Sequence, residues 1–64
     1  MNKYRVEINV FNEKGYDTKE LIIEAGNKKL ATLRGLAKIN DDPELKERYK
    51  SVKSVELIGG ATNA

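Results

Sequence analysis

Four cations stand close together in the middle of the chain. Lys28, Lys29, Arg34 and Lys38 fall within residues 27–40, a stretch without a single acid, whereas the net charge of all 64 residues is only +2. A cluster of this kind can hold an anion, either a phosphate backbone or an acidic protein surface. On duplex DNA each neutralised phosphate gives a salt slope of roughly −0.9. No aromatic residue interleaves with the four to stack a base. The ordinary reading of such residues is a solvated helix face.

Catalytic groups are scarce. The chain has no His and no Cys, which removes the imidazole base, the thiolate nucleophile and the usual zinc ligands. Ser51 and Ser54 have no obvious base, and Gly59-Gly60 has neither the spacing of a phosphate loop nor a helix after it. Asp41, Asp42 and Glu44 form a carboxylate trio, but the spacing and glycine of a calcium loop are missing. Asp42 before Pro43 is explained by helix capping. The expectation is a protein that is not an enzyme, with no cofactor, no metal and no small-molecule substrate.

The elements that would position these groups follow from periodicity. Tyr4, Val6, Ile8 and Val10 alternate with Arg5, Glu7 and Asn9, which predicts a half-buried strand over 3–11. Residues 12–17 carry turn chemistry around Gly15, and 18–25 return as a second strand. Gly26-Asn27 breaks it and Asn27 can cap a helix over 28–40. In that helix Leu30, Leu33, Leu36 and Ala37 share one side, which predicts that they face the core. Lys28, Arg34 and Lys38 then point outward, with Ala31 and Gly35 as a bare strip between them. Residues 43–50 predict a short second helix with Leu45 and Tyr49 as its apolar pair. Residues 51–58 read as a third strand, with Val55 and Leu57 on the core side and Val52, Glu56 and Ile58 on the other.

The sum is an α+β chain of order ββα(α)β. A right-handed crossover places the third strand beside the first, giving an antiparallel sheet of order 2-1-3 with one long and one short helix on one face. The expected core is Tyr4, Val6, Ile8, Val10, Leu21, Ile23, Leu30, Leu33, Leu36, Ala37, Leu45, Tyr49, Val55 and Leu57. Residues 1–58 form one domain and 59–64 a polar tail.

A chain of 7.2 kDa buries a modest fraction of its surface, and natural domains this small often add disulfides, a metal or a partner subunit. Without Cys or His only carboxylate sites for hard cations remain among metals, so self-association is the most plausible of the three, with an unusually well packed monomer as the alternative. Helices can cover one sheet face only, so Phe11, Ile22, Val52 and Ile58 are expected among charges on the other, as a surface for self or for another protein. No apolar run approaches the ~20 residues of a membrane span. Met1–Arg5 leads into strand alternation rather than an apolar run, so no signal peptide is expected and the location expected is cytoplasmic.

A strand hairpin, one or two helices, a last strand and a small polar tail make a plan that resembles that of small phage and prophage proteins. The likeness covers most of the chain and carries over no individual residue. It implies a compact accessory or host-interaction protein. The expectation is therefore a non-catalytic binding or assembly protein acting through protein–protein contacts as a homo-oligomer. The alternative is a small nucleic-acid-binding protein using Lys28, Lys29, Arg34 and Lys38.

Overall fold

A computed structural model describes residues 1–60. The element order is β1 (Asn2–Asn12), β2 (Gly15–Ala25), α1 (Lys28–Asn40) and β3 (Lys50–Gly59). The three strands form one sheet of order β2-β1-β3, and both pairings are antiparallel. The fold is α+β with one helix.

The hairpin is tighter and longer than the turn residues suggest. Asn12 pairs with Gly15 around Glu13-Lys14, and Phe11 pairs with Tyr16. Gly15 adopts φ 145°, a conformation that suits a residue without Cβ. Asn12 Oδ1 accepts from the Lys14 amide at 2.8 Å, which fixes the turn.

β1 is the central strand, and its alternation does what period two requires. Tyr4, Val6, Ile8 and Val10 are buried under the helix side, while Arg5, Glu7, Asn9 and Phe11 occupy the outer side half-buried. Ile23 and Ala25 of β2 complete the strand part of the core, with Leu21 and Val55 at its margin.

α1 starts where capping chemistry says it should. Asn27 Oδ1 accepts from the Leu30 amide at 2.9 Å, satisfying a donor that the first turn leaves free. The face that meets the sheet is not the leucine face. Ala31, Gly35 and Ile39 are the buried residues of α1. Leu36 is partly buried beside them, whereas Leu30, Leu33 and Ala37 are exposed. The contact is close: a Cβ on Gly35 would lie 3.0 Å from Val6 Cγ1. The expected phase is therefore wrong by roughly half a turn. Apolar residues surround much of this helix, so periodicity alone does not choose a side. The two-residue link from Ala25 and the bulk of Val6 and Ile8 favour the small residues at the contact.

Residues 43–50 make no second helix. Asp42 does start a turn: its Oδ1 accepts from the Glu44 amide, and its carbonyl accepts from Leu45 and Lys46. The turn does not propagate, because Leu45 and Tyr49 part company. Leu45 packs against the core, while the Tyr49 ring lies 5.4 Å from the Phe11 ring, and the Phe11 amide donates to the Tyr49 carbonyl at 2.9 Å. Eight residues without a shared apolar stripe are too few to hold a helix. Tyr49 and Leu57, both expected in the core, are exposed.

β3 carries two irregularities that change which way its side chains face. Glu7 pairs with Ser54 but Ile8 with Val52, and Tyr4 pairs with Leu57 but Lys3 with Gly59. Lys53 and Ile58 are thus the extra residues of two β-bulges. Gly59, expected to begin the tail, is still part of the strand. Residues 61–64 of that tail lie outside the described residues.

Candidate functional site

The outer face of the sheet is built from rows that satisfy one another. At one end Arg5 lies between Glu20 of β2 and Glu56 of β3, with N–O distances of 2.9 and 3.2 Å. The next row sets Glu7 directly opposite Glu20, and Glu7 Oε1 accepts from Ser54 Oγ at 2.7 Å. Beyond it Thr18 Oγ1 donates to Asn9 Oδ1 at 2.7 Å. The hairpin end closes with three rings in a row, Tyr16, Phe11 and Tyr49, whose neighbouring centroids are each 5.4 Å apart. Apart from the like-charged Glu7 and Glu20, which repel, such cross-strand pairs stabilise the sheet itself. The outer face is a wet, internally paired surface.

The four apolar residues expected to form a patch there do not meet. Ile22 is opposite Arg5, whereas Phe11 is six positions further along β1, about 20 Å away at the rise of an antiparallel strand. Val52 is opposite buried Ile8 and so belongs to the helix side. Ile58 occupies the bulge next to Gly59. A six-residue turn over 12–17 would leave Phe11 without a cross-strand ring; the two-residue turn brings it opposite Tyr16.

The four cations also divide. Arg34 Nη1 donates to the Glu24 carbonyl at 2.6 Å, tying that flank of α1 to β2. Arg34 and Lys38 line an open cleft of about 540 Å³ along the β2 edge, together with Lys3, Ile22, Ile23, Glu24 and Ala37. Lys28 and Lys29 belong to the first turn instead. Ala31 and Gly35 are not the bare strip between these cations but the contact with the sheet.

What α1 does present outward is apolar. With Arg34 toward β2 and the 100° step of a helix, Leu36 turns toward β3, and Leu30, Leu33 and Ala37 point away from the sheet. Leu30 is 41% exposed and Leu33 56%. Leu57, 52% exposed, lies on the helix side of β3, opposite Tyr4. A helix apolar on two sides is normally covered on both. The spacing of Leu30, Leu33 and Ala37 does signal a shared apolar side, but not which side of α1 meets the sheet.

Among the described residues no His, Cys, Asp and Glu side chains gather in the threes that could hold a metal ion. No helix among them is long and apolar enough to cross a membrane. No family model, curated protein or solved structure matches the chain.

Proposed function

We propose that this chain is a non-catalytic binding and assembly protein that acts in the cytoplasm through protein–protein contact, as a homo-oligomer. The observation that carries the proposal is the outward side of α1. Its small residues face the protein's own sheet, and its leucines face solvent. Burying Leu30 and Leu33 against a partner would remove from water apolar area worth about 25 cal/mol per Å². A chain without Cys or His gains stability from such a partner by mass action. A module of this kind suits an accessory or host-interaction role like those of small phage proteins.

The nucleic-acid alternative has less support. Arg34 is committed to a backbone carbonyl, and the remaining three cations do not share one surface with an exposed ring.

The test is the absolute mass in solution by light scattering across a concentration series. The wild type is expected above 7.2 kDa at high concentration, and Leu33→Asp at 7.2 kDa throughout. A wild type that stays at the monomer mass at every concentration overturns the proposal.

A further inference from the structure

β2 is one of the two edges of the sheet, and the regular one. Its register with β1 runs without a shift from Asn2 opposite Ala25 to Asn12 opposite Gly15. β3, at the other edge, carries the bulges at Lys53 and Ile58. Bulges blunt an edge against further pairing, whereas a long flat strand invites it.

Two hydrogen bonds fix which backbone groups of β2 face outward. The Phe11 amide donates to the Tyr49 carbonyl, so Phe11 turns its backbone away from β2, and Tyr16 opposite it turns its own away from β1. Arg34 donates to the Glu24 carbonyl, which points out of the edge in the same sense. Backbone direction alternates along a strand, so Tyr16, Thr18, Glu20, Ile22 and Glu24 present their N–H and C=O groups to the open edge. Among the described residues only the Glu24 carbonyl is taken there.

Asp17 and Lys19 stand on the helix side of this edge, opposite buried Val10 and Ile8. Both are exposed, and they line one cleft with Glu44 and Arg48. Among the described residues neither forms an ion pair, since both ion pairs belong to Arg5.

From the open edge and its charges we infer that β2 pairs with β2 of a second copy, antiparallel, about a two-fold axis at Thr18. This contact is separate from the one proposed for α1 and goes beyond it. Outward groups must meet outward groups, so Thr18 exchanges both backbone hydrogen bonds with its counterpart, and Tyr16 does so with Glu20. Asp17 of each copy then stands opposite Lys19 of the other, twice by symmetry, in the closer, non-hydrogen-bonded type of pair. The ladder covers Gly15–Leu21 and ends before the flank of α1, where Arg34 occupies the edge at Glu24. The two three-stranded sheets become one.

Charge rejects the neighbouring registers. An axis at Asp17, Lys19 or Glu20 sets that residue against its own like charge, which destabilises a strand pair. An axis at Ile22 sets Glu20 against Glu24. An axis at Leu21 sets Thr18 against Glu24, whose carbonyl Arg34 holds, and Lys19 against buried Ile23. A single short strand pair is marginal in water, so between free copies the contact is transient and leaves the solution mass at that of one chain. It joins copies that another contact already holds close.

Disulfide trapping reads a transient contact and its register together, because the chain has no native Cys. One protein carries Asp17→Cys and the other Lys19→Cys. Both also carry Leu33→Asp, so the contact proposed for α1 contributes nothing and the result bears on β2 alone. The two are mixed in equal amounts in a glutathione redox buffer, and mass spectrometry counts the three disulfide-linked dimers. With the axis at Thr18 the two introduced thiols face each other at a Cα separation of about 4.5 Å, within disulfide reach, and the unsubstituted Lys19 and Asp17 keep one ion pair. Random encounter gives the mixed dimer in about twofold excess over each like pair; the expected excess is at least tenfold. Adding Thr18→Pro to both proteins should return the ratio to about twofold, because proline removes a donor that the sheet itself leaves free; far-UV circular dichroism checks that each fold is kept. A twofold ratio without the proline overturns the contact, and predominance of either like pair overturns the register. A tenfold excess that survives the proline in a folded protein overturns pairing through the backbone. The mass of the wild type judges the α1 contact independently of all three.

Discussion

Replacing Gly35 by Ala asks directly which side of α1 meets the sheet. An ideal Cβ there would lie 3.0 Å from Val6 Cγ1, 3.5 Å from Val6 Cβ and 3.6 Å from Ile8 Cδ1. Two effects oppose each other. Alanine is favoured over glycine inside a helix by about 0.5–1 kcal/mol. Overpacking a filled core costs typically about 1–3 kcal/mol. Val6 has no exposed surface and its branched side chain is stiff, so relief requires α1 to lift from the sheet. The packing loss wins, and Gly35→Ala should destabilise the fold by about 0.5–2 kcal/mol. In a Val6→Ala background the obstructing methyls are gone. The same substitution should then stabilise by the propensity term alone, about 0.5–1 kcal/mol. Leu33→Ala is the companion: as an exposed residue it should change stability by no more than about 0.5 kcal/mol, against about 2–5 for a core leucine. Urea unfolding followed by circular dichroism at dilute, monomeric protein reads all four variants. A Gly35→Ala protein more stable than the wild type, together with a costly Leu33→Ala, would refute the reasoning and restore the leucine-inward phase.

Two further outcomes test the frame around α1. Asn27→Ala should cost about 1 kcal/mol of unfolding free energy, because the Leu30 amide loses its acceptor, while Asn27→Asp keeps it; equal losses in both variants would count against a capping role. Arg5→Ala should cost about 0.2–1 kcal/mol for each exposed ion pair lost, and the loss should shrink in 1 M salt as screening weakens both the pairs and the Glu7–Glu20 repulsion. A loss unchanged by salt would mean that the Arg5 stem acts through packing instead.

The strands were legible because β1 obeys one constraint only. Its partners lie on both edges and its core lies on one side, so Tyr4, Val6, Ile8 and Val10 fall into strict alternation. From that alternation and the crossover rule the strand order follows. Asn27 and Gly15 were legible for a similar reason: each meets a local backbone need that few residue types satisfy. The phase of α1 was not legible, because Leu30, Leu33 and Ala37 compete with Ala31, Gly35 and Ile39 for the same description. Larger residues bury more area, but only the smaller ones allow a helix to approach Val6 and Ile8 so closely. The bulges at Lys53 and Ile58 are backbone events without a residue signature, and the first places Val52 opposite Ile8 on the helix side. Asp42-Pro43 signalled a helix start correctly in chemistry and wrongly in outcome, since a cap begins a helix that only a buried stripe can extend.

Three properties of α1 look unrelated until they are placed in one structure. Its smallest residues face its own sheet, its leucines face water, and its charges oppose its dipole. The second and third weaken an isolated monomer, and natural sequences generally agree across local and global levels. A partner of the kind proposed above would cover the leucines. The first property makes that possible. A helix seated closely on the sheet through Ala31 and Gly35 keeps its leucines for the far side, where a second copy can reach them. The outer sheet face shows the contrast, because Arg5, Glu7, Asn9, Thr18, Glu20, Ser54 and Glu56 already find their partners within one chain. Leu30 and Leu33, by contrast, find no such partner within the chain's own sheet, and the proposed self-assembly rests on them.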